Sequence, residues 1–116
     1  MKIMIVDDNQ NMREVMKNML ASLDAEFIEC EDGGEAVSQY SQHFPDWVLM
    51  DLSMAYVDGI TAANQMKDMF PEARIIMVTD YNEKVLKDKA KELGAFAYVL
   101  KERLHELPVI ISSVLQ

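Results

Sequence analysis

The chain has 116 residues and a mass of 13.3 kDa, and 50% of its residues are hydrophobic, which is enough for one ordinary core. Its 20 acidic and 11 basic residues give a formal net charge of −9, so the surface repels polyanions. We therefore expect a single domain over residues 1–116 that binds neither nucleic acid directly nor an anionic membrane surface.

The cysteine count and the apolar runs indicate the compartment in which the protein functions. Cys30 has no second cysteine to pair with, and no neighbouring histidines complete a structural zinc site. The longest apolar runs, such as residues 47–50 and 108–111, are far too short to span a bilayer. The N-terminus reaches Asp7 and Asp8 where a signal peptide would still be apolar. We expect a cytoplasmic protein without a membrane segment.

Two periodicities alternate along the chain. Short apolar, β-branched runs alternate with longer segments whose apolar residues recur three and four positions apart, which is typical of repeated strand–helix units. In chain order we predict a strand over residues 2–6, a helix over 11–23, a strand over 26–30, a helix over 34–43, a strand over 47–50, a helix over 59–69, a strand over 74–78, a helix over 83–93, a strand over 97–100 and a last helix within 104–115. Pro108 fits best at a helix start, so a shorter last helix over 108–115 is the alternative.

The runs at residues 3–6, 48–50 and 75–78 are continuously apolar rather than alternating. Strands of this kind are buried on both faces, as they are when helices cover both sides of a parallel sheet. Short connections and right-handed crossovers then leave few topologies. The sequence therefore predicts an α/β fold with a doubly wound, five-stranded parallel sheet and helices on both faces.

Polar side chains follow the predicted strands at the ends where ligands bind in an open α/β sheet. The first strand is followed by Asp7 and Asp8, the third by Asp51, the fourth by Thr79 and the fifth by Lys101. Because parallel strands all point the same way, we expect these side chains to converge although they lie far apart in the sequence.

Three converging carboxylates repel one another. Two unit charges at 4 Å repel by about 1 kcal/mol in water and by about 4 kcal/mol at an effective dielectric near 20. A hard divalent cation removes this repulsion, and an all-oxygen site that keeps several waters suits Mg²⁺ better than zinc. Acids after strands also cap the following helix, so capping is an alternative for Asp7 and Asp8. Capping does not account for Lys101, because no helix N-terminus favours a lysine.

Four motifs give the chain a resemblance to a known family. They are residues 3–8 (IMIVDD), residues 48–54 (VLMDLSM) with residues 58–59 (DG) after them, residues 78–79 (VT) and residues 98–101 (YVLK). In this order and spacing the whole chain resembles the receiver domain of two-component response regulators. The resemblance implies the flavodoxin-like strand order 2-1-3-4-5.

The resemblance also implies how a phosphoryl group and a metal would be held. Asp51 would be the phosphoacceptor, and Asp8 and Asp51 would bind Mg²⁺ directly. Asp7 would act through a coordinated water, and the backbone carbonyl of Ser53 would complete the protein's ligands. The chain would be a phosphoacceptor signalling domain that assists its own phosphorylation and dephosphorylation, not an enzyme with a separate substrate.

The resemblance further implies which residues would respond to phosphorylation and which proteins would be partners. Lys101 would contact a phosphoryl oxygen, Thr79 would hydrogen-bond the phosphoryl group, and Tyr98 would turn inward as Thr79 shifts. The phosphodonor would be a histidine kinase or a phosphotransfer protein. The surface of the fourth helix, fifth strand and fifth helix would contact a second copy in a homodimer or an output domain.

The end of the chain carries more apolar surface than one buried helix face needs. No charged residue occurs from Leu107 onward. The apolar positions in this stretch include Val109, Ile110, Ile111, Val114 and Leu115. We expect part of this helix to be exposed in a monomer and to serve self-association or docking.

Three positions depart from the family pattern. Ala55 stands where a proline is usual, and Glu102 replaces the proline common after the lysine, so a cis bond there cannot be assumed. Asp80 occupies a position where a small residue is usual. Our hypothesis is that this extra acid beside Thr79 slows phosphorylation by small anionic donors. The alternative is a turn in which Asp80 points to solvent.

Two other functions fit parts of the pattern. A hydrolase of the haloacid-dehalogenase kind also combines a nucleophilic aspartate with threonine, lysine and Mg²⁺, but its nucleophile follows the first strand, whereas Asp51 follows the third. A flavodoxin-like module that holds a nucleotide or flavin would need a glycine-rich phosphate loop where Asp7 and Asp8 stand. Turnover of a phosphoester would favour the first alternative, and visible absorbance would favour the second.

Overall fold

The computed structural model of the chain describes residues 1–52 and 58–114. Its elements are β1 (Lys2–Val6), α1 (Gln10–Met19), a 3₁₀ turn (Ala21–Leu23), β2 (Glu26–Cys30), α2 (Gly33–His43), β3 (Trp47–Asp51), α3 (Gly59–Met69), β4 (Ile75–Thr79), α4 (Lys84–Leu93), β5 (Ala97–Leu100), a 3₁₀ turn (Lys101–Arg103) and α5 (Glu106–Val114). The predicted metal ligand Ser53, the departure at Ala55 and the predicted helix end at Leu115 lie outside the described residues. No described helix has the length and apolar character needed to cross a membrane.

The five strands form one parallel sheet in the order β2-β1-β3-β4-β5. Side chains alternate between its two faces. On one face, Met4 and Val6 of β1 belong to a core that α2, α3 and α4 cover. On the other face, Ile3 and Ile5 belong to a core that α1 and α5 cover. The predicted doubly wound sheet with helices on both faces is confirmed.

Three strands have the predicted bounds, whereas β3 and β4 each end one residue later than predicted, and this difference matters for the site. Strand β3 continues through Asp51, which pairs with Val78, and β4 continues through Thr79, which pairs with Leu100. Pairing with the neighbouring strand therefore extends beyond the apolar run by which each strand was recognised. Asp51 and Thr79 are the last residues of their strands and share the rigidity of the sheet.

Helix boundaries differ where a local hydrogen bond decides them. Helix α1 ends at Met19, and the residues up to Leu23 form a 3₁₀ turn before Asp24 takes the left-handed conformation with φ 51°. Helix α2 begins one residue early, at Gly33, because the carboxylate of Asp32 accepts from the N–H of Glu35 at 2.8 Å. Helix α4 begins one residue late, at Lys84, because Glu83 is its N-cap residue and has an extended backbone.

The last helix begins at Glu106, so the alternative start at Pro108 is wrong. Pro108 is the third residue of α5, where its missing N–H is one of the donors that have no partner within a helix. Leu107 and Ile111 of this helix are buried, whereas Val109 is 69% exposed. The prediction that this helix exposes apolar surface in the monomer is confirmed.

Gly94 ends α4 in a conformation that other residues adopt only with strain. Its φ is +91°, and its N–H donates to the carbonyl oxygens of Ala90 and Lys91. We expect Gly94→Ala to lower the free energy of unfolding by about 1–2 kcal/mol, because a Cβ disfavours positive φ. Urea denaturation measures the change. Gly34→Ala is the control, since Gly34 lacks a positive φ, and an equal loss in both variants would contradict the explanation.

Candidate functional site

The carboxyl ends of the central strands bring three acidic side chains together. Asp7 and Asp8 follow β1 directly, and Asp51 ends the adjacent strand β3. One oxygen from each of these carboxylates lies within 4.8 Å of the others. The structure therefore groups residues that are separated by more than forty positions in the sequence.

The three acids differ in their exposure. Asp7 and Asp51 are buried, with 0% and 3% of their surface exposed, whereas Asp8 is exposed. Two of the charges thus lie where water compensates them poorly, and the third faces solvent. Among these three acids, Asp8 is the one through which the site faces solvent.

Lys101 follows β5 and supplies the positive charge nearest to the buried carboxylates. Its Nζ lies 3.3 Å from Oδ2 of Asp7 and 3.4 Å from Oδ1 of Asp51, and its side chain is 13% exposed. Burial alone lowers the pKa of Lys101, but the charges of Asp51 and Asp7 outweigh it, and the pKa is raised above its ordinary value. Lys101 is therefore a full positive charge at neutral pH.

One ammonium does not neutralise this group. Three carboxylates with one lysine leave a charge of 1 − 3 = −2 at the site. Among the described residues, no hydrogen bond reaches Oδ2 of Asp7, which meets Lys101 only as an ion pair. An all-oxygen donor set with excess negative charge and an unsatisfied buried oxygen fits a hard divalent cation such as Mg²⁺.

Helix capping is not the role of the acidic pair. Asn9 is the N-cap of α1, and its side-chain oxygen accepts from the N–H of Met12 at 3.0 Å. Asp7 instead uses Oδ1 to accept from the N–H of Asn9 at 2.9 Å, which tightens the turn after β1. The capping alternative for Asp7 and Asp8 is therefore wrong.

Gly59 fixes the backbone beside Asp51, a role that sequence reasoning missed. Its N–H donates to the carbonyl of Leu52 at 2.9 Å, and a Cβ built on Gly59 would lie 2.0 Å from the carbonyl oxygen of Asp51. Asp58 caps the same helix by accepting from the N–H of Thr61 at 2.8 Å. The motif at residues 58–59 includes this glycine, but the sequence does not show that the backbone at the start of α3 closely approaches the end of β3.

Thr79 and Tyr98 are linked through the backbone of one residue. The buried hydroxyl oxygen of Thr79 accepts from the N–H of Tyr81 at 3.1 Å, and the hydroxyl of Tyr98 donates to the carbonyl of Tyr81 at 2.5 Å. Burial raises the pKa of Tyr98 above its ordinary value, so its hydroxyl keeps its proton and remains a donor. Asp80, between these residues, is exposed.

Comparison with known proteins agrees with this arrangement. The sequence model of the response regulator receiver domain family matches residues 3–112. The chemotaxis protein CheY of Bacillus subtilis (strain 168) is 38% identical over 101 residues, which cover 86% of this chain and 84% of that protein. These matches agree with the resemblance that the four motifs indicate.

Solved structures with the same fold include two of particular interest. A two-component response regulator of the LuxR family from Aurantimonas sp. SI85-9A1 is 32% identical, with a TM-score of 0.86, covering 98% of this chain and 84% of that one. The CheX-CheY-BeF3-Mg²⁺ complex from Borrelia burgdorferi is 26% identical, with a TM-score of 0.91, covering 99% and 89% of the two chains. The described fold is thus that of known structures over nearly the whole chain.

The repulsion between the acids has a measurable consequence for stability. We expect Asp8→Asn to raise the free energy of unfolding by about 1 kcal/mol when divalent cations are absent, because one of three like charges is removed at an exposed position. In magnesium chloride the parent chain should instead be more stable than Asp8→Asn, since magnesium stabilises only a chain that binds it. Urea denaturation in EDTA and in magnesium chloride tests both expectations. Asp68→Asn, an exposed acid near the end of α3, is the control, and a loss of stability of Asp8→Asn in EDTA would contradict the explanation.

Proposed function

Since the chain belongs to the response regulator receiver domain family of two-component signalling, we propose that it is a phosphorylation-dependent switch whose phosphoacceptor is Asp51. The observation that carries this proposal is the convergence of Asp7, Asp8 and Asp51 on Lys101. We further propose that residues 1–116 form one receiver domain, which takes up a phosphoryl group once per signalling event and assists the later hydrolysis of the acyl phosphate.

The proposed nucleophile, Asp51, has a restrained backbone. It ends a central strand and pairs with Val78 of β4, and the close approach of Gly59 to its carbonyl restrains its backbone further. In the proposed step, a carboxylate oxygen of Asp51 attacks phosphorus while the bond from phosphorus to the donor's nitrogen or oxygen breaks. The electron pair leaves with the donor group, and positioning and charge neutralisation provide most of the catalysis.

The acidic side chains would hold the metal that this reaction needs. Asp8 and Asp51 would contribute direct ligands, Asp7 would act through a water, and the Ser53 carbonyl would complete the set. Mg²⁺, when bound, supplies positive charge that offsets the carboxylates and the oxygens of the transferring group. The Borrelia complex, which contains CheX, CheY, BeF3 and Mg²⁺, supports this choice of metal.

Lys101 would stabilise the phosphoryl group once it is attached. Its Nζ already lies 3.4 Å from Oδ1 of Asp51, so a group bonded to that carboxylate would come within reach of the same ammonium. A lysine serves this role as a compact point charge. The ion pair with Asp7 would keep Lys101 in place before the reaction.

The contacts that link Thr79 to Tyr98 would transmit the effect of phosphorylation to the protein surface. Because the Thr79 oxygen already accepts from Tyr81, its O–H proton is the part left to donate to a phosphoryl oxygen. A shift of Thr79 would pull on the Tyr81 backbone, to which the Tyr98 hydroxyl is bonded. Phosphorylation would then favour one of two arrangements of the surface formed by α4, β5 and α5.

The partners follow from the same scheme. We propose a histidine kinase or phosphotransfer protein in the cytoplasm as phosphodonor. The surface of α4, β5 and α5 would contact a second copy or an output domain, and Val109 and Phe96 expose apolar area there. With a net charge of −9, the domain itself would not bind nucleic acid.

The first test of the function is the identity of the acceptor. Treatment with acetyl phosphate and magnesium should add one phosphoryl group to the parent chain and none to Asp51→Asn, because an amide is not a nucleophile at phosphorus. Intact-mass spectrometry measures the addition, with EDTA and Asp68→Asn as controls. Addition that persists in Asp51→Asn would place the acceptor elsewhere, and steady turnover of acetyl phosphate without a phosphorylated chain would favour the hydrolase alternative.

The second test concerns Asp80. We expect Asp80→Ala to be phosphorylated faster by acetyl phosphate, by roughly two- to fivefold, because one negative charge beside Thr79 is worth about 1 kcal/mol or less when exposed. Initial rates at low and high salt measure the effect, which should shrink as salt screens the charge. An unchanged rate at low salt would show that Asp80 only faces solvent.

A further inference from the structure

Arg13 is a buried positive charge that the chemistry described above does not use. It lies in the second turn of α1, and only 7% of its surface is exposed. A buried guanidinium is costly unless its donors are paired, so its partners indicate what it holds in place. Sequence reasoning passed over it, because one arginine in an amphipathic helix is usually exposed.

The guanidinium joins the turn after β1 to the edge strand β2. Its Nη1 donates to the backbone carbonyl of Asp7 at 2.7 Å, and its Nε donates to Oε1 of Glu29 at 2.9 Å. The two donor nitrogens lie in one rigid plane, a fixed geometry that the single nitrogen of a lysine does not reproduce. Arg13 therefore fixes the turn relative to the sheet.

The carbonyl that Arg13 binds belongs to the peptide group that joins Asp7 to Asp8. The N–H of Asp7 donates to the carbonyl of Cys30 at 3.0 Å, so both backbone polar groups of Asp7 are engaged. The orientation of this peptide sets the direction in which both side chains leave the backbone. A single arginine thus restrains two of the three converging carboxylates.

Glu29 holds the guanidinium in turn. Its second oxygen, Oε2, accepts from Nζ of Lys17 at 3.0 Å. Hydrogen bonds from Lys17 and Arg13 lower the pKa of Glu29, so it stays ionised and keeps both contacts at neutral pH. The chain of contacts runs from Lys17 through Glu29 and Arg13 to the carbonyl of Asp7.

We propose that Arg13 is a positioning residue for magnesium binding, which orients the Asp7–Asp8 peptide so that both carboxylates face the metal. The proposal rests on the proposed function, since it assumes that these carboxylates bind magnesium. Arg13 makes no contact with the metal in this scheme and acts only through the backbone of Asp7. Outer contacts of this kind set metal affinity together with the ligands themselves.

The test measures magnesium affinity directly, by isothermal titration calorimetry with magnesium chloride. We expect Arg13→Gln to weaken binding about tenfold, the lower end of the range for lost supporting contacts. Phosphorylation by acetyl phosphate should slow at low magnesium and recover at saturating magnesium, because Asp51 and Lys101 are unchanged. Lys17→Gln is the matched control: it removes one positive charge from the same Glu29 without touching Asp7, and it should bind magnesium as the parent does.

Arg13→Lys separates position from charge and guards against a variant that does not fold. It keeps the charge but replaces the planar two-nitrogen fork with a single nitrogen, so we expect weakened magnesium binding here too. The inference would be overturned if Arg13→Lys had parent-like magnesium affinity, or if Lys17→Gln weakened magnesium binding equally. Either result would indicate that only the positive charge near the site matters. A lower melting temperature with parent-like affinity would overturn it in favour of a merely structural role.

The parent chain and Asp8→Asn distinguish failure of this inference from failure of the proposed function. Magnesium binding by the parent that Asp8→Asn abolishes would support the site itself. If the parent does not bind magnesium, the proposed function falls and the inference with it. If the parent binds and folded Arg13→Gln binds equally well, the inference alone is overturned.

Discussion

Repulsion between carboxylates at the end of a parallel sheet is the constraint on which this structure depends. Parallel pairing of β1 with β3 places Asp7, Asp8 and Asp51 at one edge, and burial of two of them removes most of the screening that water would provide. Lys101, brought to the same edge by β5, offsets part of the charge. The remaining negative charge is what makes the site suited to a cation, at the expense of stability when none is bound.

Carboxylates that repel one another stay together only if the backbone beneath them cannot move apart. Three local contacts serve this purpose, two at the start of α1 and one at the start of α3. Asn9 caps α1 and closes the turn after Asp7, and Gly59 allows α3 to approach the carbonyl of Asp51. Arg13 binds the carbonyl of Asp7 from α1. Asp51 is held by strand pairing and by the close approach of Gly59, whereas the two acids after β1 depend on the contacts of Asn9 and Arg13.

The carboxyl end of the sheet connects to the outer strand β5 through two hydrogen bonds to one residue. Thr79 and Tyr98 stand on adjacent strands, and both bond to the backbone of Tyr81. A change at Thr79 therefore has a short physical route to β5 through the backbone of Tyr81. This route is a set of observed contacts, and its two-state behaviour is part of the proposal.

The alternation of apolar runs was sufficient to predict five parallel strands with helices on both faces, because continuous apolar strands must be covered on both sides. It also predicted that Asp7, Asp51 and Lys101 meet, since parallel strands end at one edge. Helix limits were less predictable, because a cap such as Asp32 acts within one turn and shifts a boundary by a residue. The contacts of Gly59 and Arg13 were invisible in the sequence, because each joins residues of different elements whose separation only the packed fold defines.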